Sequence, residues 1–181
     1  TAPLALFVGN DYVKKGLPTL LTAMVKVPML HLAVVGNGKH ISRFQHQAQQ
    51  LQISDRVHFL GSMPDISPAY SAANLLVHPT TEDTYAMVVL EAMAHSLPVI
   101  VSSAPYCGIA ADLTHGTHAL ILDNPLDADA LAQHLQRLLS APELCHALQK
   151  AGQQFAAQCT WQTVADQHET LLQQIAHLNS F

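Results

Sequence analysis

Thr80-Thr-Glu-Asp-Thr-Tyr-Ala-Met-Val-Val-Leu-Glu-Ala-Met-Ala-His-Ser-Leu-Pro98 follows a short apolar run, Asn74-Leu-Leu-Val-His78, that Pro79 breaks, and it precedes a second, Val99-Ile-Val101. The order reads as strand, turn, helix, strand. The helix expected from about Thr84 to His95 is apolar nearly all round, with Ala86, Met87, Val88, Val89, Leu90, Ala92, Met93 and Ala94, the pattern of a helix buried inside a domain. Glu91 is the exception. A carboxylate among such neighbours needs a partner or a ligand, because an unpaired buried charge costs roughly several kcal/mol. Glu82 and Asp83 fall where the helix is expected to begin. There, free backbone N–H groups and the positive end of the helix dipole can hold an anion such as a phosphate.

Outward from this unit the same alternation continues. Upstream, strands are expected at Leu4 to Val8, Leu30 to Val35 and Arg56 to Leu60, with helices over Gly16 to Lys26, His40 to Leu51 and Asp65 to Ala73. Downstream come a short helix near Ile109 to Leu113, a strand from Ala119 to Leu122, and helices over Asp127 to Leu139, Pro142 to Gln158 and Thr160 to Leu178. Short apolar strands separated by helices predict an α/β fold, a Rossmann-like parallel sheet with helices on both faces. Ligands of such sheets sit beyond the carboxyl ends of the strands. The stripes Leu131, Leu135, Leu138 and Leu144, Leu148, Phe155 recur at helical spacing and mark core faces.

Composition narrows the function. The 181 residues suffice for one α/β domain, and 49% hydrophobic with 12% charged residues describes a globular core rather than disorder. A net charge of -5 with scattered lysines and arginines gives no general attraction to nucleic acid or anionic lipid, so any phosphate site is local. Cys107, Cys145 and Cys159 are odd in number and share no Cys-x-x-Cys spacing, which suits a reducing, cytoplasmic setting. No run approaches the length of a membrane span. The opening Thr1-Ala-Pro, without an initiator methionine, leads us to expect a piece of a longer chain. Of the twelve histidines, His115 and His118 are three apart but in a glycine-containing loop with no Cys or acid to complete a metal set. His95 reads as a residue complementing the helix C-terminus.

Gly9-Asn10-Asp11-Tyr12-Val13-Lys14-Lys15-Gly16 closes the first strand. By itself a Lys-Lys pair reads as a solvated turn, although two lysines could also clamp a diphosphate as point charges. Asp83 and Glu91 are spaced acid-x7-acid, followed by Ala-Met-Ala-His-Ser-Leu-Pro-Val-Ile. Together these segments resemble family-four retaining, nucleotide-sugar-dependent glycosyltransferases of the GT-B fold, whose first strand ends in Gly-Arg-x-x-x-x-Lys-Gly and whose acids form Glu-x7-Glu. Gly9, Lys15 and Gly16 match, Asn10 stands at the Arg position, and Lys14 would supply the charge missing there. Val57-x-Phe59-x-Gly61 resembles the segment before the base-contacting loop. The Lys pair, Val77-His-Pro79 and Tyr106-Cys-Gly108 resemble the lipopolysaccharide-core glucosyltransferase branch in particular.

The resemblance implies the C-terminal, donor-binding half of a GT-B enzyme: residues 1–181 as a single donor domain, with helix 160–178 crossing toward an N-terminal acceptor domain. It implies a retaining hexosyltransferase that uses a nucleotide-sugar donor such as UDP-glucose and needs no cofactor or metal. The acceptor would be a glycan or glycolipid of the lipopolysaccharide core, bound by the other domain, which would also make any peripheral contact with the inner membrane. Lys15 and Asp83 would be catalytic. Donor binding would fall to Gly9, Lys14, Lys15, Ser62, Met63, Glu82, Asp83, Tyr85, Ala86, Met87 and Glu91, with the first acid on the sugar, Glu91 on the ribose, and the backbone of Ser62 and Met63 on the base. Asp83 is one methylene shorter than the family's first acid, which leaves adjacent Glu82 as the other candidate. Thr84-Tyr85-Ala86 stands where the family has Gly-Phe-Gly.

Gly36-Asn37-Gly38 reads equally as a structural turn or as a ligand contact, but not as a dinucleotide fingerprint, since Ile41 occupies the third glycine position. Two other classes stay open: a nucleotide-sugar epimerase half-domain of related architecture, and a non-catalytic nucleotide-binding α/β module.

Overall fold

The computed structural model describes residues 2–178. Six strands, β1 (Leu4–Val8), β2 (His31–Val35), β3 (Val57–Gly61), β4 (Leu75–His78), β5 (Val99–Ser102) and β6 (Leu120–Leu122), pair in parallel in the order β3-β2-β1-β4-β5-β6. The connecting helices are α1 (Leu17–Met24), α2 (Ile41–Gln50), α3 (Ser67–Ala72), α4 (Met87–Ala94), α5 (Ala128–Ser140), α6 (Pro142–Gln158) and α7 (Trp161–Leu178). The short helix expected near Ile109 is a 3-10 turn, Gly108–Ala111.

Strand alternation divides the core into two layers. Ala5, Phe7, Leu32, Val34, Val77 and Ile100 pack with residues of α1, α2 and α5. Leu6, Ala33, Val35, Leu76, Val99 and Val101 pack with residues of α3 and α4. Parallel strands covered on both faces must be apolar throughout, and β4 and β5 are buried at every position. The expected stripe Leu131, Leu135, Leu138, Leu148 lies in the first layer, with Leu144 packed against it, while Phe155 reaches the second. Helix α6 therefore spans both layers.

Chain order reverses between β1 and β4, which is where sheets of this kind open a ligand crevice beyond the strands' carboxyl ends. The segments 9–16 and 79–86 emerge into it.

The central helix differs from its sequence reading in two ways. It starts at Met87 rather than Thr84, because Ala86 adopts a left-handed φ of 60° and breaks the helical path. Glu82 and Asp83 therefore precede the helix instead of standing in its first turn. The helix is also buried on one face only, through Val89, Leu90, Ala92 and Met93. Met87 is 49% exposed and Glu91 faces outward, so Glu91 is not a buried charge.

Candidate active site

The loop after β1 is built to present its lysines to the loop after β4. Gly9 N–H donates to Val35 O (3.0 Å), Lys15 N–H to Asp11 O (2.8 Å) and Leu17 N–H to Tyr12 O (2.9 Å), which winds the segment into a tight turn. Gly16 sits at φ 80°, and a Cβ there would lie 1.9 Å from Pro79 O, so only glycine lets the two loops touch. Contact is then sealed by Thr81 N–H on Lys14 O (2.7 Å), with the buried Thr80 hydroxyl 2.9 Å from the same carbonyl.

Asp83 is fixed from both sides. Its N–H donates to Tyr106 O (2.8 Å) and its carbonyl accepts from Gly108 N–H (3.1 Å). A side chain at Gly108 would strike Thr84 O at 1.9 Å, which gives the Tyr106-Cys107-Gly108 motif its structural reason. The carboxylate accepts on both oxygens: Oδ1 takes Ala86 N–H (2.9 Å), and Oδ2 meets both Lys15 Nζ (2.5 Å) and His78 Nε2 (3.0 Å). His78, foremost, and Lys15 hold the Asp83 carboxyl far below the usual carboxylate range, against the opposing pull of burial. Beside this pair, Lys14 Nζ and Glu82 Oε2 form a second ion pair at 2.7 Å, but both side chains are largely exposed. Of the two candidate first acids, Asp83 is therefore the one held in fixed geometry. Tyr85 and Met87 stand exposed beside the start of α4. The first amides of that helix have no carbonyl within it to bond, as at any helix start.

Glu91 projects from the solvent face of α4. One oxygen, Oε2, accepts the Tyr70 hydroxyl at 2.7 Å, which leaves the other open to a ligand. Tyr70 is itself buried and stacked on His95 with ring centroids 5.1 Å apart, so its phenol titrates well above its ordinary range through burial and the Glu91 bond. His95, the C-terminal cap of α4, thus supports a ring as well as ending a helix. Met63 packs in the same layer as Tyr70. Ser62 is exposed just past the end of β3, with two strands, β2 and β1, between it and β4.

Gly36-Asn37-Gly38 resolves toward the structural reading. Gly36, at φ 125°, leaves no room for a Cβ against Gly9 O, its carbonyl accepts the Tyr12 hydroxyl (2.7 Å), and Gly38 lies on the Tyr12 ring. Asn10 accepts Asn37 N–H at 2.8 Å and so ties the two loops together. His115 and His118 each accept a backbone N–H, from Ile121 and Thr114. No group of three His, Cys, Asp or Glu able to hold a metal ion occurs among the described residues, and no helix among them is long and apolar enough to cross a membrane.

Sequence reasoning missed roles for His78, Tyr70 and Thr80. The signal for His78 was present: a polar residue ends the otherwise apolar β4, five residues before Asp83.

Known proteins resemble this chain over most of its length. Residues 1–155 match the family of glycosyl transferases group 1. The lipopolysaccharide glucosyltransferase WaaG of Escherichia coli is 30% identical over 146 residues, 78% of this chain and 38% of that protein. Sucrose-phosphate synthase from Thermosynechococcus elongatus superposes with a TM-score of 0.86 at 32% identity, over 98% of this chain and 46% of that one. Anabaena HepE, solved with UDP and glucose, shares the fold with a TM-score of 0.82 at 23% identity, over 98% of this chain and 48% of its own. The chain thus spans less than half the length of each.

Proposed function

Since the chain belongs to the group 1 glycosyl transferases and has the Rossmann-like architecture of a GT-B half, we propose that it is the donor-binding domain of a retaining hexosyltransferase using UDP-glucose. The observation that supports this most is the Lys15–Asp83 pair at the crevice where the strand order reverses, beside the start of α4. The diphosphate of the donor takes the place of the acids on Lys15 and Lys14, next to Gly9, and meets the first amides of α4 past Tyr85, Ala86 and Met87. Asp83, released from Lys15, accepts hydrogen bonds from the hexose hydroxyls. The open oxygen of Glu91 takes the ribose, and the backbone of Ser62 and Met63 reads the base.

As the glycosidic bond breaks, negative charge grows on the diphosphate, and the lysines and helix amides stabilise it more than they stabilise the bound donor. That charge is met without a metal or other cofactor. Glucose is favoured over other hexoses by the likeness to the lipopolysaccharide glucosyltransferase. The acceptor, a glycan or lipopolysaccharide-core glycolipid, binds a second domain toward which α7 leads, at the cytoplasmic face of the inner membrane.

Radiolabelled UDP-glucose and a core acceptor test the assignment. We expect the 181-residue chain to bind the donor without transferring sugar, and a protein carrying the acceptor domain as well to transfer it with retention. Transfer by this chain alone contradicts the division of labour.

A further inference from the structure

His78, the last residue of β4, is 1% exposed. Its Nε2 lies 3.0 Å from Asp83 Oδ2, while Nδ1 is buried with no hydrogen-bond partner among the described residues. An ionised carboxylate only accepts, so the hydrogen in this contact sits on Nε2, and a neutral ring leaves Nδ1 as a bare acceptor. Burial keeps the ring neutral by drawing its pKa below the ordinary value.

The two donors on Asp83 Oδ2 are not equivalent. Lys15 sits on a flexible, partly exposed stem at the mouth of the crevice, free to swing to an arriving diphosphate. The imidazole is anchored on a central strand with nowhere else to turn. Lys15 alone would leave Asp83 without a cationic or side-chain donor at the moment the sugar arrives.

We propose that His78 is a positioning residue: it holds the Asp83 carboxylate in place after Lys15 has moved to the diphosphate, so that Asp83 can select the hexose of the donor. This rests on the role given to Asp83 above. His78 touches neither nucleotide nor sugar. Its effect is confined to the part of affinity that the hexose contributes.

Calorimetric titration of the chain with UDP and with UDP-glucose, for the wild type, His78→Gln and His78→Leu, tests the inference. Gln places an amide N–H where Nε2 stands, whereas Leu places none. In His78→Leu the affinity for UDP-glucose is expected to fall about tenfold relative to that for UDP, the scale of one hydrogen bond to a charged group. His78→Gln is expected to restore most of it. In an Asp83→Ala background the same His78 substitutions should change nothing further. His78→Asn, whose amide stops at the Nδ1 position, replaces the Leu variant if that variant does not fold. Parallel losses for UDP and UDP-glucose, or equal behaviour of Gln and Leu, reduce His78 to a structural residue and overturn the proposal. A wild-type chain that binds neither ligand overturns the donor-site reading itself.

Discussion

At the scale of single residues, the proposed donor site works by an exchange of partners. Lys15 is held by an acid of its own chain at 2.5 Å, and under the proposed function an incoming diphosphate competes with that acid for the same ammonium. Removing the cation and removing the acid therefore have opposite signs. Lys15→Ala is expected to lower UDP affinity at least tenfold, since charge-assisted bonds contribute about 1.5–3 kcal/mol. Asp83→Ala should leave UDP affinity unchanged or raise it, with the loss appearing only for UDP-glucose, and calorimetry on both variants checks this. Equal losses of UDP affinity would remove the distinction between the two roles. Lys15 and Asp83 were legible only through the family resemblance, since the Lys pair by itself reads as a solvated turn. Tyr70 was not, since its partner Glu91 lies 21 residues away and only the fold, which sets α3 and α4 in the same core layer, brings them together.

At the scale of elements, α4 shows where composition misleads. The run from Thr84 to Ala94 contains no glycine or proline, so apolar continuity extended the expected helix by a turn. A left-handed alanine leaves no trace in such a pattern. The Asp83 carboxylate on Ala86 N–H and the ties from Asp83 to Tyr106 and Gly108 impose the break from outside the segment. For a residue with a Cβ this conformation costs about 1–2 kcal/mol. Ala86→Gly is therefore expected to stabilise the domain by about 1 kcal/mol and raise its melting temperature by roughly 2–4 °C. Scanning calorimetry measures that shift, and a lower melting temperature would show that Ala86 is not strained. The burial expected for Glu91 failed for a related reason. An almost wholly apolar helix of eight residues still has a solvent side when only one of its faces meets the sheet.

At the scale of the whole molecule, the parallel sheet, and with it the sheet end at which the candidate residues gather, was legible, because each strand is short, apolar and separated from the next by a helix. The strand order was not, and it is the order that sets the β1 and β4 loops side by side. The molecule as a whole should also lose stability in acid. Folded His78, which is buried, and His134, which is half-buried, both titrate below the ordinary 6.5, chiefly because they are partly or wholly withdrawn from water. As pH falls past about 6.5 the unfolded chain takes up protons that the folded chain refuses, so stability declines with pH. Asp83, held ionised in the fold, adds a further loss below its ordinary 3.8. Thermal melts from pH 7.5 to pH 5 should show a falling midpoint, and a flat profile would contradict the burial of those rings. Under the proposed function, the β1–β4 crevice holds the donor nucleotide. Titration of the chain with UDP, repeated for Lys15→Ala and Glu91→Ala, tests it most directly. Saturable binding of UDP is expected, and both substitutions should abolish or severely weaken it. Absence of saturable binding, or binding that survives both changes intact, would contradict it.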